Sequence, residues 1–248
     1  MKQNQPRIWL LLPVFNEAEG IVGWLTKIKL SCHEFGDVQF VISDDGSTDG
    51  LEHAISNWDE KSHCVILGDG SNRGPGAAFD LGFRYILAHG KSSDLIVTME
   101  ADGTADLSML PNMLDALKEQ DQVLASVYLD GGGFSRTTWY RVGLSNIANG
   151  LTRLVLRLPY RTLTSFYRGY RWDSLKTLSQ RFDPFIEESG FICQVELLHK
   201  SRQVGLKILE IPTRVYSERR IGKSKMKLIK TAFEHLRFLL KTILNIKH

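Results

Sequence analysis

Glu100, Asp102 and Asp106 end the stretch LIVTMEADGTAD (95–106), in which an apolar, β-branched run passes straight into carboxylates and a glycine. Carboxylates at i and i+2 just beyond a strand can both face one hard divalent cation at the strand's carboxyl end. The plainer reading is a surface turn, since Asp, Gly and Thr also suit turns and helix caps. Two further acidic loops bear on the choice, PVFNEAEG (13–20) and DDGSTDG (44–50). Taken singly, Asn16 suits the cap of a following helix, and Thr48 and Asp49 suit the cap of the next. NRGPGAA (72–78) carries glycines that let backbone approach a phosphate, and that equally make a plain loop. Three acidic loops brought to one edge repel each other unless a cation or a hydrogen-bonding ligand compensates.

The elements around these loops supply that edge. RIWLLLP (7–13), VQFVIS (38–43), HCVILG (63–68) and DLIVTM (94–99) are short apolar runs of the kind that form strands covered on both faces. Helical patterns lie between them, over roughly 17–30 with Ile21, Trp24, Leu25 and Ile28 on one face, over 49–58 and over 76–89. Alternation of this kind predicts an α/β fold with a mostly parallel sheet flanked by helices. Ligands then bind beyond the carboxyl ends of the strands.

The 248 residues are enough for a well-buried core, and the charged and apolar fractions are those of an ordinary globular chain. Cys32, Cys64 and Cys193 are odd in number and widely spaced, which suggests neither a disulfide framework nor a zinc site and makes a reducing compartment the default. The short apolar run before Pro13 is read as neither a signal peptide nor a membrane span. The net charge of +3 is uneven. From Arg219 onward nine Lys and Arg face the single acid Glu234, giving +8, and the remainder carries −5. Within that basic tail, residues 225–246 place Leu228, Ile229, Ala232, Phe233, Leu236, Leu239, Leu240 and Ile243 on one helical stripe, with Lys227, Lys230, Glu234, Arg237 and Lys241 mostly off it. Such a helix packs on the sheet, pairs with a second copy, or lies in a membrane interface. Basic and aromatic residues do not interleave as a nucleic-acid surface would require, so no nucleic-acid partner is expected.

Taken in order, LLPVFNEAEGI, VISDDGSTDG, NRGPGAAFDLG and IVTMEADGTAD resemble the nucleotide-sugar half of a family-two inverting glycosyltransferase with the GT-A (Rossmann-like) fold. WYRVGLSNIANGLTRLVL (139–156), LTSFYRGYR (163–171), SGFICQVELLHKSRQVGLKILEIPTRV (189–215) and SERRIGKSKM (217–226) resemble the branch that contains dolichyl-phosphate mannose synthases and bacterial polyprenyl-phosphate glycosyltransferases. The resemblance implies one GT-A domain over 1–248, with a nucleotide-sugar half (1–125), an acceptor half (126–220) and a basic amphipathic tail (221–248). It implies that Pro13, Phe15, Glu17, Asp44 and Asp45 line the base and ribose pocket of a UDP- or GDP-linked sugar, with Gly74, Gly76, Ala101 and Lys225 completing the donor contacts. Glu100 and Asp102 stand at the family's Asp-x-Asp pair, which holds Mg²⁺ or Mn²⁺ against the donor diphosphate, and Thr104 can complete the metal shell. Arg141, Arg168 and Arg219 are implied as clamps on acceptor phosphate and donor diphosphate, alongside Asp102 at the reacting centre, and Ser224 and Lys225 lie in a loop that closes over the acceptor side.

The implied acceptor is a polyprenyl phosphate at the cytoplasmic face of a membrane, with the protein peripheral and the basic helix touching the surface. Two alternatives stay open. A hydroxyl acceptor needs a general base, for which Glu187 and Glu188 lie near the family's Glu-Asp position, although without the Gln-x-x-Arg-Trp motif they read more simply as a solvated helix start. A non-catalytic protein that binds nucleotide or a membrane partner is the other, resting on two departures: Glu100 for the first Asp, and Val127 for an arginine common in the lipid-phosphate enzymes; TSFY (164–167) also departs from the usual Thr-Gly-Ser-Phe. Arg136 is a candidate to replace the arginine missing at Val127.

Overall fold

The computed structural model describes residues 6–135, 139–221 and 228–245. The first half runs β1 (Arg7–Val14), α1 (Ala18–Cys32), β2 (Asp37–Asp44), α2 (Leu51–Ser56), β3 (Cys64–Leu67), α3 (Pro75–His89), β4 (Leu95–Thr98) and α4 (Leu110–Ala116). There follow β5 (Gln122–Ser126), β6 (Gly133–Ser135), α5 (Trp139–Leu156), β7 (Arg168–Arg171), α6 (Trp172–Arg181), α7 (Cys193–Gln203), β8 (Ile208–Pro212), β9 (Arg214–Tyr216) and α8 (Leu228–Asn245).

Seven strands form one sheet in the order β3, β2, β1, β4, β7, β5, β8, and β6 and β9 form a small parallel pair. The four expected strands are parallel neighbours, with β1 between β2 and β4. The exception to parallel order is β7, which runs antiparallel to both β4 and β5. Its first residue, Arg168, is paired with Thr98 and Leu124, so the loop that enters β7 lies at the edge where β4 and β5 end.

Both faces of β1 are buried, which is why it reads as an unbroken apolar run. Leu10 and Leu12 pack with Ile21, Trp24, Leu25 and Ile28 of α1, while Trp9 and Leu11 pack on the other face with Phe79, Phe83 and Ile86 of α3. A third cluster joins Leu124 to Leu156, Ile192, Val195 and Leu198, and is closed by Phe238 and Leu239 of α8.

One polar bond ties β4 to the loop ahead of β7. The buried Thr98 hydroxyl donates to the Phe166 carbonyl at 2.5 Å. Thr98→Val keeps the shape and leaves that carbonyl short of its short-range donor, so urea titration is expected to show a loss of about 1–3 kcal/mol with an unchanged slope; an unchanged midpoint would mean that the bond contributes nothing.

Candidate active site

The acidic loop begins where β4 ends. Glu100 is half-buried: its carbonyl accepts from Trp24 Nε1 at 3.1 Å, and its carboxylate accepts from the Phe166 amide at 3.3 Å. Burial, and then the neighbouring Asp102 charge, push the Glu100 carboxyl up to about 7, against the opposing pull of the Phe166 amide and Arg220. Asp102 Oδ1 accepts from the Thr104 amide at 3.1 Å and from the Thr104 hydroxyl at 2.7 Å, and its Oδ2 accepts from Arg220 Nε at 2.7 Å. Thr104 is itself buried and orients Asp102 through that bond.

The donor set consists of hard oxygens, which suits Mg²⁺ or Mn²⁺. Among the described residues no three His, Cys, Asp or Glu side chains gather into a ready-made metal centre. Glu100 and Asp102 would hold such an ion with most of its oxygen shell left to water and to a substrate's phosphates.

The loops after β1 and β2 are tied to each other. Ser47 Oγ accepts from the Asn16 amide at 2.8 Å, Asn16 Oδ1 accepts from the Thr48 amide at 2.7 Å, and Asp49 Oδ2 accepts from the Ala18 amide at 2.8 Å. Asn16 and Asp49 thus cap across the loops, each serving the other's segment, and Asn16 takes a left-handed φ of 55° to do so. Asp44 Oδ1 accepts from the Ser47 amide at 2.9 Å. Pro13, Phe15 and Glu17 are half-buried, and Ala101, in the loop after β4, is buried.

Asp45 and the glycines serve the protein's own backbone. The buried Asp45 carboxylate accepts from the Arg73 amide at 2.7 Å and from the Gly74 amide at 2.9 Å, and burial raises its pKa. The Gly76 amide donates to Ser189 O at 2.7 Å. A Cβ on Gly76 would lie 1.9 Å from Glu188 O, and one on Gly74, where φ is 94°, would lie 2.6 Å from Ser189 O. The glycines are required here, and the backbone they admit is that of residues 188–189, with both amides already engaged.

Glu187 and Glu188 start no helix, since α7 begins at Cys193, and Glu188 is buried. Their amides donate to the buried Glu196 carboxylate, which is held by Lys200 Nζ at 2.6 Å. Glu188 pairs with Arg237 at 2.7 Å and Glu187 with Lys241 at 2.6 Å, so a charged lattice, rather than a solvated helix start, fastens this loop to α8.

The arginines divide. Arg168 is fully buried, with its guanidinium spent on the carbonyls of Ser165, Gln194 and Leu163 at 2.9, 2.8 and 2.6 Å. It braces the loop ahead of β7 and does not face the crevice, contrary to the expected clamp. Arg219 is exposed, with its guanidinium 3.7 Å from the centroid of the Tyr216 ring. Arg220, which the motif gave no reason to prefer over Arg219, is the arginine on Asp102. The side chain of Arg141, and all of Arg136, Ser224 and Lys225, lie outside the described residues.

A carboxyl whose folded pKa is raised destabilises the fold most fully above that value, and the penalty disappears below its ordinary pKa. Glu100→Gln, whose amide oxygen can still accept from Phe166, is therefore expected to raise Tm by several degrees at pH 8 in EDTA and by much less at pH 5; a gain independent of pH would rule out burial of charge as its cause.

A family model for Glycosyl transferase family 2 matches residues 9–179. The undecaprenyl-phosphate mannosyltransferase of Micrococcus luteus is 30% identical over 221 residues, covering 89% of this chain and 87% of its own. The polyprenol monophosphomannose synthase of Mycolicibacterium smegmatis is 30% identical over 226 residues, covering 89% and 81%. Among solved structures, the glucosyl-3-phosphoglycerate synthase of Mycobacterium tuberculosis in complex with Mn²⁺, UDP and glucosyl-3-phosphoglycerate aligns with a TM-score of 0.66 at 16% identity, over 98% of this chain and 80% of that one, which is a likeness of fold. With the nucleotide-sugar motifs and the acidic pair at the end of β4, these matches make the chain a glycosyltransferase that belongs to glycosyl transferase family 2.

Proposed function

We propose that this enzyme moves a sugar, mannose by its likeness to the two relatives, from a nucleotide donor to a polyprenyl phosphate with inversion at the anomeric carbon, at the cytoplasmic face of a membrane. The observation that carries the donor side is the Glu100 and Asp102 pair, set beyond β4 beside the cross-tied loops of β1 and β2. Glu100 and Asp102 hold Mg²⁺ or Mn²⁺, which offsets the charge on the departing nucleoside diphosphate. Pro13, Phe15, Glu17 and Asp44 receive the base and ribose. Arg219 contributes positive charge on the phosphate side.

Chemistry favours the phosphate acceptor. A lipid phosphate is already anionic and needs positioning, whereas a sugar hydroxyl needs a base. Of the two carboxylates available for that task, Glu188 is paired with Arg237, and Lys241 holds Glu187 below the usual carboxylate range, which makes it a weaker base. Membership of the family and the extent of the two alignments support a catalyst over a non-catalytic binder, despite Glu100 and Val127.

Membrane contact is read from α8 and α5. Phe238 and Leu239 turn into the core, so Leu239 leaves the stripe traced in the sequence, while Phe233, Leu236, Leu240, Ile243 and Leu244 face outward. Leu228, Ile229 and Ala232 have side chains outside the described set. Leu151 and Leu154 of α5, which packs against α8, are exposed as well. No helix among the described residues is long and apolar enough to cross a membrane, so the contact we propose lies in the interface plane.

Two experiments test this reading. Thermal-shift titration with UDP, GDP and their common sugars, in Mn²⁺ or in EDTA, is expected to give a metal-dependent rise for one nucleotide that Asp102→Ala abolishes, about 2.7 kcal/mol at a hundredfold excess over Kd; no rise with any nucleotide would remove the donor site. Changing Phe233, Leu236 and Leu240 together to Ser is expected to weaken binding to anionic liposomes about tenfold with little change in Tm, and equal binding by the two proteins would refute the membrane face.

A further inference from the structure

Arg220 occupies one oxygen of Asp102, the carboxylate read above as a metal ligand. Both oxygens of Asp102 are engaged, Oδ1 by Thr104 and Oδ2 by the Arg220 guanidinium. Neither side chain of the ion pair is freely solvated, with Asp102 12% and Arg220 28% exposed. The arginine is delivered by a short strap. Tyr216, at the end of β9, donates its amide to Thr104 O at 2.9 Å, and Val215 bridges to Ala105. Residues 217–219 then make one tight helical turn, and the Ile221 side chain rests on the first turn of α1, where a Cβ on Gly20 would lie 2.7 Å from Ile221 Cδ1. Residues 215–221 therefore run from the acidic loop to the helix that follows β1, with Arg220 between them.

We propose that Arg220 is a resident cation on Asp102, and that a divalent metal takes its place, freeing the strap. The inference rests on reading Asp102 as a metal ligand. A guanidinium and a metal ion on one carboxylate oxygen would sit a few ångströms apart and repel, so the two compete for Oδ2. The metal-free loop stays charge-compensated through Arg220. Loading the metal with its diphosphate releases a guanidinium beside the phosphates, adjacent to Arg219, and lifts the strap that joins the acidic loop to α1. Arg220 is in this sense a positioning residue whose effect appears before any sugar is transferred.

The test is Mn²⁺ binding by the full-length chain without nucleotide, measured as free Mn²⁺ by electron paramagnetic resonance at fixed ionic strength. Arg220→Ala is expected to bind Mn²⁺ about tenfold more tightly than the wild type, which is the loss of one close competing charge pair. Arg219→Ala removes the same formal charge from a guanidinium that lies over Tyr216, and is expected to leave the affinity unchanged. Tryptic cleavage after Arg219 and Arg220 should accelerate when the wild type is saturated with Mn²⁺, and should be fast in Asp102→Asn with or without metal. Equal Mn²⁺ affinity of wild type and Arg220→Ala, an equal gain from Arg219→Ala, or a cleavage rate indifferent to Mn²⁺ in the wild type would each overturn the competition while leaving the metal site standing. Absence of Mn²⁺ binding by every form, with UDP or GDP present, would overturn the metal site and the competition together.

Discussion

Glu100 and Asp102 lie two residues apart in a loop only partly open to water, and burial together with the Asp102 charge makes Glu100 harder to ionise. Left uncompensated, such a pair would drive the loop out toward solvent. It is held at the sheet edge because donors arrive from separate parts of the chain: Thr104 from the loop itself, the Phe166 amide from the approach to β7, and Arg220 from the end of β9. The second half of the molecule is thus partly organised as a counter-charge to the first. The fully buried Arg168 belongs to the same arrangement, since by gripping Leu163 O and Ser165 O it fixes the segment that presents the Phe166 amide.

A similar economy governs the other loops of the crevice. Three short polar side chains there are used on a neighbouring loop's backbone: Asn16 holds Thr48, Asp49 holds Ala18, and Asp45 holds Arg73 and Gly74. Loops built in this way are ordered before a ligand arrives, and binding then costs less conformational entropy. The chain of contacts continues through Gly76 to Ser189 and, by the pairs of Glu187 and Glu188, to α8.

The first half was legible because burial on both faces leaves a plain signature. The four apolar runs became β1 to β4 within a residue or two, and the helix expected over 17–30 became Ala18–Cys32 with the predicted inward face. The positions of Glu100, Asp102 and the loops of β1 and β2 at one edge followed from that order. The second half was much less legible. RGYR carries two arginines in four residues, yet as β7 it lies between two strands with Arg168 buried, because the loop just before it folds back to offer the Leu163 and Ser165 carbonyls and α7 adds that of Gln194. The pairing of β6 with β9 and the grip of Arg237 on Glu188 join residues far apart in the chain, and no local pattern announces them. Within SERR, adjacency alone could not say which arginine meets Asp102.

The reversal of β7 also affects how the molecule can vary. Ser126 ends β5, and Arg168 begins β7 beside Leu124, so the chain leaves the sheet and re-enters it at adjoining positions on one edge. Residues 127–167, with β6 and α5 among them, form an excursion whose two feet are already side by side. Its length can change between those feet without altering the register of the seven-stranded sheet, while Phe166 at its end stays tied to Glu100 and Thr98. The sheet and its acidic edge act as a socket, and the excursion as a fitting plugged into it.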